Sequence, residues 1–266
     1  MTRCSREPLV TVAVPSFNQG QFLGAALESL LAQDVALEIF VADAGSVDDS
    51  LAIIRSYGPQ LAGWRSHADA GQAAAINECV ARGRAPFVCW LNSDDLLLPG
   101  ALRTLLGALQ EDAAAPVAYA QAWNQRQRDG RRSKVWVESF DERRLALRCF
   151  IAQPATLVRR SAWEAVGGLG ERLHMALDYD LWWRLYRHAG PFRYVDSVLA
   201  VNREHDSTKT RNNRRLHYRE AMQVVRRHYG RVPLKWWLYQ PYAVWLKALH
   251  KRLVSECATN KSFTRR

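Results

Sequence analysis

The sequence predicts an α/β fold with a mostly parallel central sheet flanked by helices and followed by a helical C-terminal extension. Short apolar runs alternate with segments of helical periodicity, which is the pattern of a parallel sheet. Residues 87–91 (FVCWL) are apolar throughout, as is typical of a strand buried on both faces. Charge separates the extension from the body, because residues 203–266 carry 16 Lys and Arg against 4 Asp and Glu.

The bulk composition is that of a globular protein, since 48% of the 266 residues are hydrophobic and 24% are charged. No run of 18 apolar residues appears and the N-terminus lacks the apolar core of a signal peptide, so we expect a cytoplasmic protein. The five cysteines are scattered and form no CxxC pair. This pattern argues against a disulfide framework and against a zinc site.

The elements are predicted from the apolar spacing along the chain. Expected strands cover residues 9–14, 37–42, 87–91, 117–122, 134–137, the apolar part of 153–160, and 192–201. Expected helices contain the apolar repeats at 22–31, 51–54, 75–80 and 102–109, a short helix capped by Ser161, a helix opened by Asp178-Tyr179-Asp180, and an amphipathic helix over 213–229.

The run Asn92-Ser93-Asp94-Asp95 directly follows the central predicted strand. Open α/β sheets bind their ligands at the carboxyl ends of the strands. Carboxylates held this close can share Mg²⁺ or Mn²⁺, and such a cation can hold a diphosphate. The alternative is that Asp94 and Asp95 only cap the next helix.

Other polar loops follow the neighbouring predicted strands. Residues 15–20 (PSFNQG) follow the first strand, Asp43 follows the second, and residues 67–72 (HADAGQ) precede a helix. An acid after the second strand can accept hydrogen bonds from a nucleoside. The sequence contains no GxGxxG motif, which argues against a dehydrogenase, and it contains no P-loop, GxSxG or HExxH motif.

Seven segments carry a family resemblance in the right order: AVPSFNQ, VADAGSVDDS, DAGQAAAIN, WLNSDD, QPATLVRR, LDYDLWWRL and HDSTKT. Together they resemble the inverting nucleotide-sugar glycosyltransferases of family 2, which have the Rossmann-like, nucleotide-binding GT-A fold. The likeness covers roughly residues 9–210. It implies a catalytic domain at 1–210 and leaves 211–266 as a basic, aromatic-rich helical extension.

The resemblance implies roles for individual residues. For the donor these are Pro15, Phe17 and Asn18 in the first nucleotide-binding turn, Asp43 at the base, Asp69 and Gly71 along the nucleotide and sugar, Asn92 and Ser93 in the place of the DxD motif, and Arg203 near the leaving group. Arg203 and Lys209 flank His205 and are the cations that could neutralise the leaving-group charge. Asp94, Asp95 and His205 are implied ligands of Mn²⁺ or Mg²⁺, and Asp178 is the implied catalytic base, with Asp180 the other choice. The pattern departs at Asn92, where the family usually has Asp, and at Leu177, where it usually has Glu.

The implied reaction is metal-assisted, inverting transfer of a sugar from a nucleotide-sugar, most readily a UDP-sugar, to a hydroxyl acceptor. We expect a glycan or a polyprenyl-diphosphate-linked acceptor, and Gln153, Trp182 and Arg184 are candidates for contacting it. For Trp182, packing in the core is the favoured alternative. Two alternatives stay open. A sugar nucleotidyltransferase normally has a Gly-rich, cationic loop where this chain has SFNQGQF, and a non-catalytic nucleotide-sugar-binding member is conceivable because of Asn92 and Leu177.

The extension interleaves aromatic side chains with Lys and Arg, a mixture that suits the headgroup layer of an anionic membrane. Bacterial enzymes of the family that the chain resembles often extend glycans on lipid-linked acceptors at the cytoplasmic face, so the resemblance implies a peripheral protein on the inner face of the cytoplasmic membrane. The alternative is that these aromatics pack on the catalytic body or on a second subunit of a homo-oligomer. Nucleic acid is not an expected partner, because the chain has no binding module for it.

Overall fold

The first half of the chain forms four parallel strands in the order β3-β2-β1-β4. The computed structural model describes residues 7–240 and 242. The strands are β1 (Val10–Ser16), β2 (Leu37–Asp43), β3 (Gly63–Ser66) and β4 (Phe87–Trp90), and the helices that connect them are α1 (Gly20–Leu31), α2 (Ser50–Tyr57) and α3 (Gln72–Arg82). The carboxyl ends of these strands therefore meet at one edge.

The second half extends the sheet beyond β4 with mixed pairing. Its strands are β5 (Leu96–Leu97), β6 (Val117–Arg126), β7 (Arg132–Lys134), β8 (Thr156–Arg159) and β9 (Arg193–Glu204). The order continues β4-β8-β6-β9-β5, with β7 as a hairpin partner of β6. The helices here are α4 (Ala101–Glu111), α5 (Glu142–Leu147), α6 (Arg160–Ala165), α7 (Leu177–Ala189), α8 (Lys209–Asn212), α9 (Arg214–Tyr229) and α10 (Leu234–Gln240).

Two apolar clusters lie on the two faces of this sheet. On β1, Ala13 belongs to one cluster, whereas its neighbours Val12 and Val14 belong to the other, because successive strand residues point to opposite faces. One face is covered by α1, α2 and α4, and the other by α3, α7 and α9. The predicted α/β fold, a central sheet flanked by helices, is confirmed.

Several predicted boundaries are wrong. No helix follows the acids directly, since β5 comes next and α4 begins at Ala101, after Gly100 in a left-handed conformation (φ 74°). Asp94 and Asp95 therefore do not cap a helix. The strand expected at 134–137 is β7 at Arg132–Lys134, and α6 begins at Arg160, so Ser161 is inside that helix. Helix α7 begins one residue before Asp178.

The described part of the predicted extension packs on the body. The buried apolar side chains of α9 and α10 are Tyr218, Ala221, Val224, Val225 and Trp236, all in the cluster that includes α7. The Tyr218 hydroxyl donates to the Trp236 carbonyl (2.8 Å), and the Trp236 indole donates to the Ala146 carbonyl of α5 (2.8 Å). The division at residue 210 stays a prediction, and these contacts cross it.

Several apolar and basic side chains of the predicted extension lie outside the described residues, namely Trp245, Leu246, Lys247, Leu249, Lys251 and Arg252. Within residues 7–240 and 242, no helix combines the length and the apolar character that crossing a bilayer requires.

Candidate active site

A cleft of about 950 Å³ opens at the carboxyl ends of β1 and β4. Eleven of the thirteen predicted site residues line it: Pro15, Phe17, Asn18, Asp69, Gly71, Asn92, Ser93, Asp94, Asp95, Asp178 and Arg203. The other two, Asp43 and His205, are buried behind its wall with 0% and 4% of their surface exposed. The fold thus brings together side chains from widely separated parts of the sequence.

The loop after β1 forms one wall of the cleft. Asn18 has a positive φ (52°), and the turn after β2 holds it in place. Its backbone N–H donates to the Ser46 hydroxyl (2.7 Å), while its side-chain oxygen accepts from Val47 N–H (2.9 Å). Within the described part of the chain, Ser16 Oγ and Gln19 Oε1 in this wall are buried without a hydrogen-bond partner. Such atoms are available to a polar ligand.

Asp43 supports this wall from behind. Its carboxylate accepts hydrogen bonds from the N–H groups of Gly45 (3.1 Å) and Ser46 (2.9 Å) and from the Ser66 hydroxyl (2.7 Å). With no exposed surface, the carboxylate fixes the turn that in turn holds Asn18. A contact from Asp43 to a nucleoside base stays a prediction.

The loop before α3 is held by Asp69. This carboxylate accepts from the Gly71 N–H (2.8 Å) and pairs with the buried Arg65 guanidinium (3.0 Å). Gly71 has a φ of 117°, which L side chains rarely adopt, so a glycine is required there. The next residue, Gln72, was not identified from the sequence, although it lines the cleft.

Asn92 cross-links three segments of the cleft wall. Its oxygen accepts from Gln72 Nε2 (2.9 Å), and its amide nitrogen donates to Asp95 Oδ2 (3.1 Å) and to Gln153 Oε1 (3.2 Å). Gln153 in turn donates to the Trp90 carbonyl (2.8 Å). An Asp at position 92 would lose the donor that serves Asp95, which explains why an amide fits this network.

Asp94 and His205 are in direct contact, with Asp94 Oδ2 3.0 Å from His205 Nε2. The His205 ring packs on Phe22, with ring centroids 4.4 Å apart. The Arg203 guanidinium lies over the Phe22 ring, 4.9 Å from its centroid, and donates to the carbonyls of Ser93 and Asp94. Arg203, near the end of β9, and His205, directly after β9, therefore both contact the loop after β4.

Asp95 is 2% exposed and accepts from Asn92 and from the Arg203 N–H (3.3 Å). Burial raises the pKa of Asp95 well above the usual range of a carboxyl, and the charge of Asp94 adds to this effect. These contacts make Asp95 a support of the loop, whereas the Asp94 side chain is 18% exposed toward the cleft.

A divalent cation fits this corner only if protein side chains and a bound diphosphate coordinate it together. Among the described residues, no three His, Cys, Asp or Glu side chains are arranged to hold a metal ion. Asp94 and His205 provide two adjacent donors, and His205 Nδ1 is buried without a partner in the described residues. Mg²⁺ characteristically binds one or two protein groups together with substrate phosphates and water, so the donor set is compatible with a cation that a diphosphate completes.

Asp178 and Asp180 differ sharply although both lie in the first turn of α7. Asp178 lines the cleft, and its carboxylate accepts a hydrogen bond from the neighbouring Tyr179 N–H (2.8 Å). Burial raises the pKa of Asp178. Asp180 points into the protein, where it binds Arg184 Nε (2.7 Å) and His228 Nε2 (2.9 Å).

The candidates for acceptor contact separate in the same way. Gln153 lines the cleft, whereas Trp182 is fully buried and stacks on Trp90 at 5.7 Å. Arg184 is bound to Asp180 and to the carbonyls of Val166 and Gly168. Neither Trp182 nor Arg184 lines the cleft, so the structure does not support them as acceptor contacts, and Trp182 has the alternative role of core packing.

Lys209, which the sequence analysis named with Arg203 as a cation for the leaving group, lines the cleft. It donates to Gln72 Oε1 (3.1 Å) and lies beside Thr208 on one side of the cleft. His174 and Met175 line the side near Asp178. These two residues were missed by sequence reasoning, because they lie in an irregular connection without periodicity.

Comparison with known proteins agrees with this geometry. The sequence profile of the family described as "Glycosyl transferase family 2" matches residues 11–167. The chain is 25% identical to chondroitin synthase of Escherichia coli over 239 residues, which cover 89% of this chain and 35% of the synthase. It is 28% identical to the succinoglycan biosynthesis protein ExoU of Rhizobium meliloti over 204 residues, covering 71% and 60% of the two chains. The chain therefore spans only a part of these relatives.

Solved structures show the same fold. The S. aureus TarS fragment 1–349 in complex with UDP-GlcNAc superposes with a TM-score of 0.67 at 18% identity, over 82% of this chain and 66% of that one. The mannosyltransferase PcManGT from Pyrobaculum calidifontis, in complex with GDP-Man and Mn²⁺, gives 0.63 at 19% identity, over 89% and 68%. The profile covers more than half of the sequence, and the chain belongs to glycosyltransferase family 2, with the GT-A fold.

Proposed function

We propose that this chain transfers a sugar from a nucleotide-sugar donor to an acceptor hydroxyl with inversion at the anomeric carbon. One observation carries the proposal. A single cleft at the carboxyl ends of the parallel strands is lined both by the Asn92–Asp95 loop and by the cleft-facing carboxylate Asp178. An inverting transfer requires diphosphate binding and proton removal. The Asn92–Asp95 loop is the candidate for the first task and Asp178 for the second, and both line the same cleft.

The donor is assigned to the side formed by the loops after β1 and β4. Ser16 Oγ and Gln19 Oε1, which are buried and have no hydrogen-bond partner among the described residues, are available to the nucleoside. Arg203 and Lys209 supply positive charge for the diphosphate. The TarS and PcManGT structures contain UDP-GlcNAc and GDP-Man, which supports a nucleotide-sugar donor, and we favour a UDP-sugar.

Asp94 and His205 are the groups we assign to Mn²⁺ or Mg²⁺, with Asp95 supporting their loop. A bound cation would offset the negative charge that develops on the diphosphate. Arg203 positions Asp94 whether or not a cation is bound. Its guanidinium donates to carbonyls of the Asn92–Asp95 loop, and this contact keeps the Asp94 carboxylate facing the cleft.

Asp178 is the proposed base. As the acceptor oxygen bonds to the anomeric carbon, the bond from that carbon to the diphosphate oxygen breaks and its electron pair leaves with the nucleoside diphosphate. The acceptor proton passes to Asp178. Because burial raises the pKa of Asp178, the carboxylate is a better proton acceptor than an exposed aspartate.

The acceptor is proposed to be a glycan, free or linked to a polyprenyl diphosphate. The names of the relatives support this class, since they include chondroitin synthase and a succinoglycan biosynthesis protein. Gln153 is the retained candidate for contacting it, because it lines the cleft close to Asn92.

Helix α10 supports the proposal of a membrane partner. Five of the large apolar side chains exposed in the described residues come from 234–242: Leu234, Trp237, Leu238, Tyr239 and Tyr242. A neighbouring groove of about 380 Å³ is lined by Arg143 and Arg231 among apolar side chains. Exposed rings beside arginines suit the headgroup layer of an anionic bilayer.

Vesicle sedimentation tests the membrane partner. Replacing Trp237 and Leu238 together by Ala should weaken binding to phosphatidylglycerol vesicles at least tenfold, and binding should fall with added salt. The control Trp64→Ala, at an exposed Trp of β3, should bind like the wild type. Equal binding of all three proteins would refute the membrane contact, and a loss of self-association in the double variant would assign the surface to a second subunit instead.

Nucleotide release tests the reaction. UDP-, GDP- and dTDP-sugars are each incubated with the chain, with and without Mn²⁺ or Mg²⁺, and with or without a glycan acceptor. We expect release from one donor class, faster with the cation. Binding of a nucleotide-sugar without turnover would indicate a non-catalytic member of the family, and formation of nucleotide-sugar from a nucleoside triphosphate would indicate a nucleotidyltransferase.

A further inference from the structure

Glu220 is a buried carboxylate of α9 that the mechanism above does not use. It lies outside the part of the chain that matches the family profile, and only 4% of its surface is exposed. Its Oε2 accepts the backbone N–H groups of His174 (3.1 Å), Met175 (2.8 Å) and Ala176 (3.1 Å). Its Oε1 also accepts from His174 (3.2 Å). The carboxylate therefore binds three consecutive backbone donors of another segment.

Those donors lead directly into α7. Ala176 is the N-cap residue of this helix and has no side chain that could accept a hydrogen bond. Helix N-termini leave backbone N–H groups without partners, and an acceptor with negative charge is favoured there. Glu220 supplies this acceptor from a different helix. The segment it binds lines the cleft through His174 and Met175, and Asp178 follows two residues after Ala176.

Helix α9 itself is held against the body by buried side chains. Tyr218 and Val224 are buried against the body on either side of Glu220 along the helix. His217, one turn before Glu220, interacts electrostatically with both Asp178 and Glu220, so this face of α9 lies next to the proposed base. A displacement of the 174–176 segment would therefore move the first turn of α7 relative to a fixed α9.

We propose that Glu220 is a positioning residue for glycosyl transfer, which fixes the 174–176 segment and thereby aims Asp178 at the acceptor hydroxyl. The inference rests on the proposed function, because it assumes that Asp178 is the base. It assigns a role in the active site to a helix that the sequence placed in a separate extension.

The test compares Glu220→Ala, Glu220→Gln and the control Glu171→Ala. Glu171 is an exposed acid in the same connection between α6 and α7, where it accepts only a longer bond from Asn77 (3.2 Å) among its described contacts. Donor turnover gives kcat and KM, and amide hydrogen exchange is followed for residues 173–179 and for β6 as a core reference.

For Glu220→Ala we expect kcat to fall roughly tenfold or more, because three hydrogen bonds to a charged acceptor are lost. Donor KM should stay within about twofold, and exchange should accelerate at 173–179 but not in β6. Glu220→Gln keeps the volume and one acceptor oxygen, so it should restore part of kcat. It also serves as the test variant if the Ala variant does not fold. Glu171→Ala should match the wild type.

Two results would overturn the inference: unchanged kcat and unchanged exchange at 173–179 in both Glu220 variants, or faster exchange throughout the fold with equal losses in donor binding and kcat. The second result would mean that Glu220 only stabilises the protein. If the wild type turns over no donor, the proposed function fails. The exchange measurement then still decides whether Glu220 fixes this segment.

Discussion

The same Asp→Asn change should have opposite effects at Asp178 and at Asp180, two residues apart. At Asp178 it removes the proton acceptor and keeps the shape, so we expect kcat to fall by about 10² to 10⁴, the usual contribution of a general base. Burial raises the pKa of Asp178, which means that its ionised form disfavours folding at neutral pH. The neutral amide should therefore leave the melting temperature unchanged or raise it.

At Asp180 the change removes charge-assisted hydrogen bonds to Arg184 (2.7 Å) and His228 (2.9 Å). Such bonds contribute about 2 kcal/mol, so Tm should fall by roughly 4–8 °C for a chain of this size. Burial alone would raise the pKa of Asp180, but the bonds from His228 and Arg184 outweigh burial and lower it. This stabilisation is complete above the ordinary pKa of an aspartate, about 3.9, and is lost as the pH falls through the lower folded-state pKa.

The assay measures thermal unfolding between pH 3 and pH 8, donor affinity by calorimetry and single-turnover nucleotide release for the wild type and both variants. Asp178→Asn should bind donor normally and fail in turnover. Asp180→Asn should turn over but melt early at neutral pH, and its Tm deficit should shrink toward pH 3. The reverse assignment, with turnover lost in Asp180→Asn and kept in Asp178→Asn, would refute the reasoning from burial and contacts.

Further outcomes follow from the same structure. Asp94→Asn should remove the Mn²⁺ dependence of donor affinity in calorimetry without lowering Tm, and cation-dependent affinity equal to the wild type would contradict its assignment. Lys209→Ala should raise donor KM about tenfold, the loss of one charged hydrogen bond, in steady-state kinetics, whereas an unchanged KM would exclude a contact with the diphosphate. The acid limb of kcat should lie at a higher pH than the ordinary pKa of an aspartate, because burial raises the pKa of Asp178, and a limb at or below that ordinary pKa would argue against this base. Tyr218→Phe should lower the unfolding free energy by about 1 kcal/mol in urea titrations, since its bond to the Trp236 carbonyl is lost, and an unchanged value would argue against a seated α10.

The sequence predicts the elements whose side chains alternate or repeat strongly. Residues 87–91 are apolar throughout because β4 is central in the sheet, and this signal placed the acids at the correct edge. By contrast, β3 (GWRS) is an edge strand with one large apolar residue, and α5 has only six residues, so neither has enough periodicity to be recognised.

The candidate site could be predicted where residues follow strand ends, but long-range partners could not. Nothing in the sequence indicates that Glu220 binds a segment 44 to 46 residues earlier, or that Asp180 rather than Asp178 is paired with His228. Both depend on how α9 packs against α7. The same packing explains why the amphipathic face of α9 is buried on the body and not free to bind a membrane.

The anomeric configuration of the sugar product tests the central claim most directly. The chain is incubated with its preferred α-linked nucleotide-sugar, Mn²⁺ and a glycan acceptor, and the configuration of the new glycosidic linkage is determined by proton NMR, with Asp178→Asn as the matched control. Direct displacement predicts a β-linkage in the product of the wild type and little product from the variant. An α-linkage, or equal product from Asp178→Asn, would contradict it.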